Sequence, residues 1–150
     1  MGLHHITWRA TGSAVSDVDT LVDALAWLIG DDDAVEVDRS SSYHGPELTL
    51  LSATTTNKRK AMHSFSQLGE TNIRTLIDSL DKRMDEQNVL HFRLSLDELI
   101  GGKVVLASDV GTATVKGQAK FEVYSGQPPE EQRLATFTEA LDLAKENDAA

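Results

Sequence analysis

Residues 112–124, which read Thr-Ala-Thr-Val-Lys-Gly-Gln-Ala-Lys-Phe-Glu-Val-Tyr, carry the clearest structural signal in this chain. Small or apolar side chains alternate there with polar ones, and a period of two predicts a strand with one buried face. A second alternating run extends from Val89 to Leu96. The buried sides of these two strands are predicted to hold Ala113, Val115, Ala119, Phe121 and Val123, and Leu90, Phe92, Leu94 and Leu96.

Outward from these two strands, the chain predicts further strands and several helices. Strands are expected at residues 3–9, 35–38, 48–56 and 104–107. Helical spacing of apolar residues predicts helices at 16–29, 58–68, 70–84 and 130–145. Because strands come in runs with short joins, we expect an α+β fold of two layers, a mostly antiparallel sheet with helices packed on one face. The length of 150 residues fits a single domain, residues 1–150, whose core is predicted to include Trp8 and Trp27.

The composition excludes several classes of site. The chain has no cysteine, so it holds no disulfide, thiolate zinc site, iron–sulfur cluster or cysteine nucleophile. Its 24 acidic and 14 basic residues give a net charge of -10, which is unlike a strongly basic nucleic-acid module. The surplus of carboxylates is typical of a hydrated acidic surface. A more specific interpretation is adaptation to a high-salt cytoplasm. No apolar run approaches the roughly 18 residues of a membrane span and no signal peptide is visible, so we expect a cytoplasmic protein without membrane contact.

The polar positions of three predicted strands form a second face, on which positive charge is concentrated. This face is predicted to carry His5, Thr7, Arg9, His91, Arg93, Ser95, Thr114, Lys116, Gln118, Lys120 and Glu122, with a net charge of +3. Residues 57–60, Asn-Lys-Arg-Lys, add +3 at a helix start, where backbone N–H groups also favour anions. The rest of the chain is left with -16. Such segregation is the expected footprint of a phosphate-binding surface.

Two interpretations of this face stay open besides an ordinary solvated strand surface. The face lacks the interleaved aromatic side chains that stack on unpaired bases, since Tyr43 and Tyr124 are the only candidates. If nucleic acid binds here, we therefore expect structured RNA contacted through its backbone and shape. The other interpretation is a protein-interaction or oligomerisation module, whose open sheet face seats a partner or a second copy in a homodimer.

Catalytic patterns are weak, so we predict no enzyme activity, no metal and no cofactor. His4 and His5 are neighbours on a strand and are expected to point to opposite faces, which separates them as metal ligands. The chain has no P-loop and no GxGxxG dinucleotide motif. Asp97 and Glu122 are the carboxylates nearest the basic positions in sequence terms, and they do not form the converging set that a metal-dependent nuclease needs.

The order and spacing of several segments resemble a family of archaeal RNA-binding domains described as predicted exosome subunits. The resemblance covers about residues 3–124 and rests on His4-His5-Ile6, Tyr43-His44-Gly45-Pro46, Leu48-Thr49-Leu50-Leu51, Asn57-Lys58-Arg59-Lys60 and Leu90-His91-Phe92-Arg93-Leu94. The family usually continues the last strand with a Lys-Gln pair, which the acidic Ser95-Leu96-Asp97-Glu98 replaces here. The resemblance implies a fold similar to that of the large-subunit ribosomal protein that binds 5S ribosomal RNA. It also implies RNA binding without catalysis and a link to the exosome.

These observations together predict a non-enzymatic RNA-binding protein that assists RNA processing or degradation. Exosome or ribosome-related proteins are the expected partners besides structured RNA. The predicted principal phosphate contacts are Lys58, Arg59 and Lys60. The predicted supporting patch is Arg9, Arg93, Lys116 and Lys120, with His44 and Gly45 shaping the neighbouring turn.

Overall fold

Five strands form one open sheet in the computed structural model, which describes residues 2–13, 18–41, 47–107 and 114–149. The strands are β1 (Leu3–Ser13), β2 (Val35–Ser41), β3 (Glu47–Thr55), β4 (Val89–Ser95) and β5 (Thr114–Phe121). Their order across the sheet is β2-β3-β1-β5-β4, and every pair of neighbours is antiparallel. The two strands with the clearest alternation, β4 and β5, therefore lie side by side at one edge.

Helices pack against one face of this sheet. They are α1 (Val18–Ile29), α2 (Lys58–Ser66), α3 (Glu70–Asp78), α4 (Leu80–Arg83), α5 (Leu96–Ile100) and α6 (Pro129–Ala149), and a 3₁₀ turn at Asp32–Ala34 precedes β2. Apolar side chains of α1, α2, α3 and α6 share one buried core with the inner face of the sheet. The predicted α+β architecture is thus confirmed. Among the described residues, no helix is both long and apolar enough to cross a membrane.

A glycine in β5 lets two large rings meet across the sheet. Gly117 is aligned with Trp8 of β1 on one side and with Phe92 of β4 on the other. A Cβ atom at this position would lie 2.4 Å from Phe92 and 2.9 Å from Trp8. Because glycine leaves this space free, the two rings contact edge to face with their centroids 5.3 Å apart. The glycine that interrupts the apolar alternation of residues 112–124 therefore marks a crowded point of the core.

A buried hydrogen-bond relay joins the sheet to two helices. The indole Nε1 of Trp8 donates to Ser64 Oγ in α2 at 2.8 Å, and Ser64 Oγ donates to the carbonyl oxygen of Leu28 in α1 at 2.6 Å. Trp8 and Ser64 are both fully buried. Since a buried polar group without a partner is costly, this relay holds β1, α1 and α2 in one arrangement.

Trp27 is not in the core, so that prediction is wrong. Its side chain is 49% exposed, on the flank of α1 beside Ile100 of α5. The apolar stripe of α1 instead directs Leu21, Leu25 and Leu28 inward. A helix of this length buries only one stripe, and position 27 falls beside it.

Several element ends differ from those predicted. The helix expected at residues 70–84 divides at Ser79, where the backbone leaves helical geometry with φ −109° and ψ 19°. The strand expected at 89–96 ends at Ser95, because Ser95 Oγ accepts the Glu98 N–H and so caps α5, a helix that the sequence analysis missed. Residues 104–107 form only an isolated bridge to β4.

A β-bulge at the start of β1 overturns the expectation for the two adjacent histidines. The pairing of β1 with β5 shifts between Leu3 and His5, and both Leu3 and Ile6 are buried. His4 and His5 consequently lie together, with their Nδ1 atoms 2.9 Å apart, and not on opposite faces. In the part of the chain that the structure describes, no three His, Asp or Glu side chains are grouped to hold a metal ion.

Candidate nucleic-acid interface

Three cations of the open sheet face form a line across neighbouring strands. In the register of the sheet, Arg9 of β1 is paired with Lys116 of β5, and Lys116 with Arg93 of β4. Side chains that are directly opposite on antiparallel strands have Cβ atoms about 4.5–5.5 Å apart. Arg9 and Arg93 are exposed, and Lys116 is half-buried. We call these three residues the cation row.

The cation row has no acidic partner within the described ranges. The ion pairs found there within 4.0 Å all involve other side chains. Like charges directly opposite each other destabilise a sheet. The fold tolerates this repulsion, and an external polyanion would relieve it.

The next row toward the start of β1 is polar. It consists of Thr7, Gln118 and His91, and Thr7 accepts a hydrogen bond from Thr54 of β3 at 3.2 Å. His91 Nε2 lies 2.9 Å from a carboxylate oxygen of Asp85. The hydrogen bond with His91, followed by that from the backbone of residue 89, holds the pKa of Asp85 below its ordinary value. Asp85 therefore stays ionised and fixes the orientation of the imidazole.

His5 and Lys120 extend the face beyond this row. They are paired across β1 and β5, and the Lys120 ammonium donates to the backbone carbonyl of Gln87. Burial lowers the pKa of His5, and electrostatic interactions with His4 and Lys120 lower it further. His5 thus offers hydrogen bonds and not a permanent charge, whereas Lys120 extends the positive surface.

The opposite edge of the same face is acidic. β2 places Glu36 beside Ser52 of β3 and Asp38 beside Leu50, and Ser52 is in turn aligned with Arg9. The face therefore runs from a carboxylate edge at β2 to a cationic edge at β4. This polarity depends on strand order, which is why the sequence analysis did not reveal it.

Lys82 and Arg83, two cations at the β4 edge, were not predicted from the sequence to belong to the site. A cavity of about 450 Å³, which we call the basic cavity, opens there beside the cation row. Its lining side chains include Ser79, Lys82, Arg83, His91, Arg93 and Lys116, and none of the described lining residues is acidic. Lys82 and Arg83 follow Ser79 at the end of a helical segment, where basic residues are ordinary, so the sequence held no stronger signal for them.

Residues 58–60, the predicted principal contacts, begin α2 and therefore belong to the helical layer. Lys58 Nζ lies 2.9 Å from a carboxylate oxygen of Glu122, and Lys60 Nζ lies 3.7 Å from Asp31. The backbone N–H of Lys60 donates to the Asn57 side chain at 3.0 Å, so the capping residue already uses one donor of the helix start. Arg59 is exposed. The role of these three residues in phosphate binding stays a prediction.

Glu122 is buried, although alternation assigned it to the open face. β5 ends at Phe121, and the Glu122 N–H donates to the carbonyl oxygen of Gly2 at 2.9 Å. Its carboxylate accepts hydrogen bonds from the Tyr124 hydroxyl and from Lys58. The bond from Tyr124, and then that from Lys58, holds the pKa of Glu122 below its ordinary value although burial opposes this. The open face therefore lacks the carboxylate that was expected there.

The predicted site residues thus divide into separate groups. Arg9, Arg93 and Lys116 come together in the cation row, and Lys120 lies on the same face. Lys58, Arg59 and Lys60 lie together at the start of α2, on the helical layer. His44 and Gly45 lie outside the described residues.

Solved structures of archaeal proteins share this fold. The DUF54 protein AF2318 from Archaeoglobus fulgidus superimposes with a TM-score of 0.70 and 20% identity, over 89% of this chain and 96% of its own. Mth689, a DUF54 protein from Methanothermobacter thermautotrophicus, gives 0.68 and 21% over 93% and 98%. A UPF0201 protein from Methanococcus jannaschii gives 0.54 and 13% over 85% and 87%.

The family assignment rests on the sequence itself. A search of curated proteins finds no match. A family model described as RNA binding matches residues 5–119, which is well over half of the chain and includes the whole cation row. The chain belongs to this RNA-binding family.

Proposed function

We propose that this protein binds structured RNA through the cation row and the surrounding open face, as a binding protein and not an enzyme. The observation that carries the proposal is the alignment of Arg9, Lys116 and Arg93 on three neighbouring strands, without an acidic partner among the described residues. Phosphates are the counter-charge that such a surface attracts. The family description supports RNA as the polyanion.

The chemistry of the face favours contact with the RNA backbone. On β1, β5 and β4 its described positions hold mainly threonine, serine, glutamine, histidine and cations, and no Phe, Tyr or Trp. Proteins that read unpaired bases use exposed aromatic rings for stacking. Hydroxyl and amide groups beside cations instead suit phosphate and 2′-hydroxyl oxygens of a duplex.

The acidic edge limits where the RNA lies. Glu36 and Asp38 repel phosphates from β2, so the RNA path is confined to the half of the face formed by β1, β5 and β4. Because the whole chain carries a charge of -10, attraction is local and weakens as salt rises. Binding in a high-salt host would then depend on hydrogen bonds and shape as well as charge.

The positions of the carboxylates support a binding role. A metal-dependent nuclease needs carboxylates that converge beside the bound phosphate. The open-face carboxylates Glu36 and Asp38 lie on β2, at the opposite edge of the sheet from β4, and the single carboxylate described beside His91, that of Asp85, is hydrogen-bonded to that imidazole. The family resemblance supports an accessory role in RNA processing or degradation, with exosome or ribosome-related proteins as partners.

The test compares two matched triple variants by fluorescence anisotropy with a labelled RNA hairpin across a salt series. The first variant replaces Arg9, Lys116 and Arg93 with glutamine, and the second replaces residues 58–60 with glutamine. Loss of three phosphate contacts in the first should weaken binding and reduce the slope of log K against log salt by about 2–3. Arg74→Gln, which removes an exposed cation paired with Glu70 at 2.9 Å on the helical layer, serves as the control.

The two variants give different outcomes. Unchanged RNA binding by the first variant, with its fold intact by circular dichroism, would refute the cation row as the site. A loss confined to the second variant would assign the interface to the start of α2. A loss for only one RNA sequence would contradict contact through the backbone.

A second candidate function is self-association through the same face. Its acidic edge (Glu36, Asp38) and its cationic edge (Arg93, Lys116) are complementary, so two copies related by a twofold axis can oppose unlike charges. Light scattering separates the two functions. A dimer at low salt that RNA does not dissociate, and that the cation-row variant abolishes, favours this alternative.

A further inference from the structure

The basic cavity shares Arg93 and Lys116 with the cation row and adds two further cations, Lys82 and Arg83, at the β4 edge. Three elements converge there: α4 contributes Lys82 and Arg83, β4 contributes Arg93, and β5 contributes Lys116. Its volume of about 450 Å³ lies within the range of small-molecule sites, roughly 300–1,000 Å³. Four permanent cations thus surround a space that one nucleotide-sized group can enter.

A hydrogen bond to Ser79 fixes the Arg83 side chain in the lining of this cavity. Its Nε donates to Ser79 Oγ at 2.7 Å, and the residue is half-buried. Within the described ranges, no ion pair engages its guanidinium. A guanidinium fixed through Nε presents its terminal amino groups as a planar fork, which matches two phosphate oxygens.

A histidine of fixed orientation also lines the cavity. His91 lines the cavity, and Asp85, which does not line it, holds the His91 ring through Nε2 at 2.9 Å. The aromatic side chain nearest in the lining, Phe92, is only 2% exposed and belongs to the core. Among the described lining residues the cavity therefore offers charge and hydrogen bonds, and no exposed Phe, Tyr or Trp on which a base could stack.

We propose, resting on the RNA-binding function above, that the basic cavity binds a phosphate monoester, namely the phosphorylated end of an RNA whose duplex lies on the cation row. A phosphodiester carries one negative charge, whereas a monoester carries about −1.5 to −2 near pH 7. The density of cations therefore suits a chain end better than an internal linkage. The position at the sheet edge agrees with this, because a duplex backbone that follows the cation row from Arg9 ends at the β4 edge, where Lys82 and Arg83 lie.

The test uses one hairpin sequence with a 5′-phosphate, a 3′-phosphate or hydroxyl groups at both ends, and AMP as a free monoester. Binding is measured by anisotropy for the RNAs and by NMR titration of the ¹⁵N-labelled protein for AMP. One phosphorylated form should bind about tenfold more tightly than the hydroxyl form, the gain expected of one charged hydrogen-bonded contact. The double variant Lys82→Gln/Arg83→Gln should abolish this preference and the AMP shifts, while binding of hydroxyl RNA persists.

The matched control is Arg74→Gln/Lys145→Gln, which removes two cations that both lie near Glu70 on the helical layer. It should retain the preference for phosphate. Equal affinity for all three RNAs would overturn the cavity inference and leave the RNA-binding function standing. If none of the RNAs binds, the proposed RNA-binding function is refuted. If the AMP-induced NMR shifts persist in the Lys82→Gln/Arg83→Gln variant, the basic cavity is refuted as the monoester site.

Discussion

Replacing Lys116 with glutamine is expected to stabilise the free protein at low salt while it weakens RNA binding. Lys116 stands between Arg9 and Arg93, so one substitution removes two directly opposed like-charge pairs. Each such pair destabilises a sheet by about 0.2–1 kcal/mol. The free energy of unfolding should therefore rise by about 0.4–2 kcal/mol, from two pairs of this size.

The assay is urea unfolding, because urea adds no ions, at about 0.01 M and about 1 M salt. The Debye length falls from about 30 Å to about 3 Å between these conditions, so the gain should disappear at the higher one. Lys116→Arg keeps the charge and should show no gain in either. In a domain of this size, 1 kcal/mol corresponds to about 2–4 °C in Tm, which thermal unfolding resolves.

A loss of stability that is the same at both salt concentrations would refute this reasoning. It would show that the half-buried stem of Lys116 stabilises the sheet by packing, and that repulsion in the cation row is negligible. An external polyanion would then have no repulsion in the cation row to relieve.

Three further predictions concern the core and the sheet end. Gly117→Ala places a Cβ 2.4 Å from Phe92 and should cost about 1–3 kcal/mol in urea unfolding, whereas an unchanged midpoint would mean that the rings move freely. Ser64→Ala leaves a buried indole N–H and a carbonyl unpaired and should cost about 1–3 kcal/mol, while Ser64→Thr, which retains the hydroxyl, tests whether the hydrogen bonds are responsible. The pKa of Glu122 is lowered in the folded state, so its ionised form stabilises the fold. This contribution to the free energy of unfolding is fully present above the unfolded pKa of about 4.3 and is lost as pH falls through the folded pKa. Lys58→Met removes one cause of that lowering, so the variant should lose less stability than the wild type between pH 7 and pH 3, and equal losses would contradict the pairing.

Local sequence patterns predicted where most strands and helices lie, but they were less reliable for the burial of individual side chains. Alternation identified β4 and β5 and the buried side of each strand, since a period of two is a property of a single strand. It failed for Glu122, which lies just past the end of β5, where the chain no longer follows the pleat. The prediction that Trp27 is buried failed because the hydrophobicity of a residue does not show which flank of a helix packs against a neighbour.

For the candidate site, local patterns likewise predicted some residues and not their arrangement in space. Arg9, Arg93 and Lys116 were predicted from their own strands to be open-face cations, yet their alignment in one row depends on the pairing of β1, β5 and β4. Lys82 and Arg83 carried no signal of their own, because only the break at Ser79 turns α4 toward the β4 edge.

Composition alone excluded cysteine chemistry, and short-range patterns predicted the two-layer class and the segregation of charge between strand faces. Each of these follows from composition or from the period of a short segment. The strand order follows only from long-range pairing and packing, and with it the acidic edge at β2, the cationic edge at β4 and the basic cavity between α4 and the sheet. The physical reason is that cross-strand register joins residues far apart in the chain, such as 9, 93 and 116, through backbone pairing and core packing that no local pattern specifies.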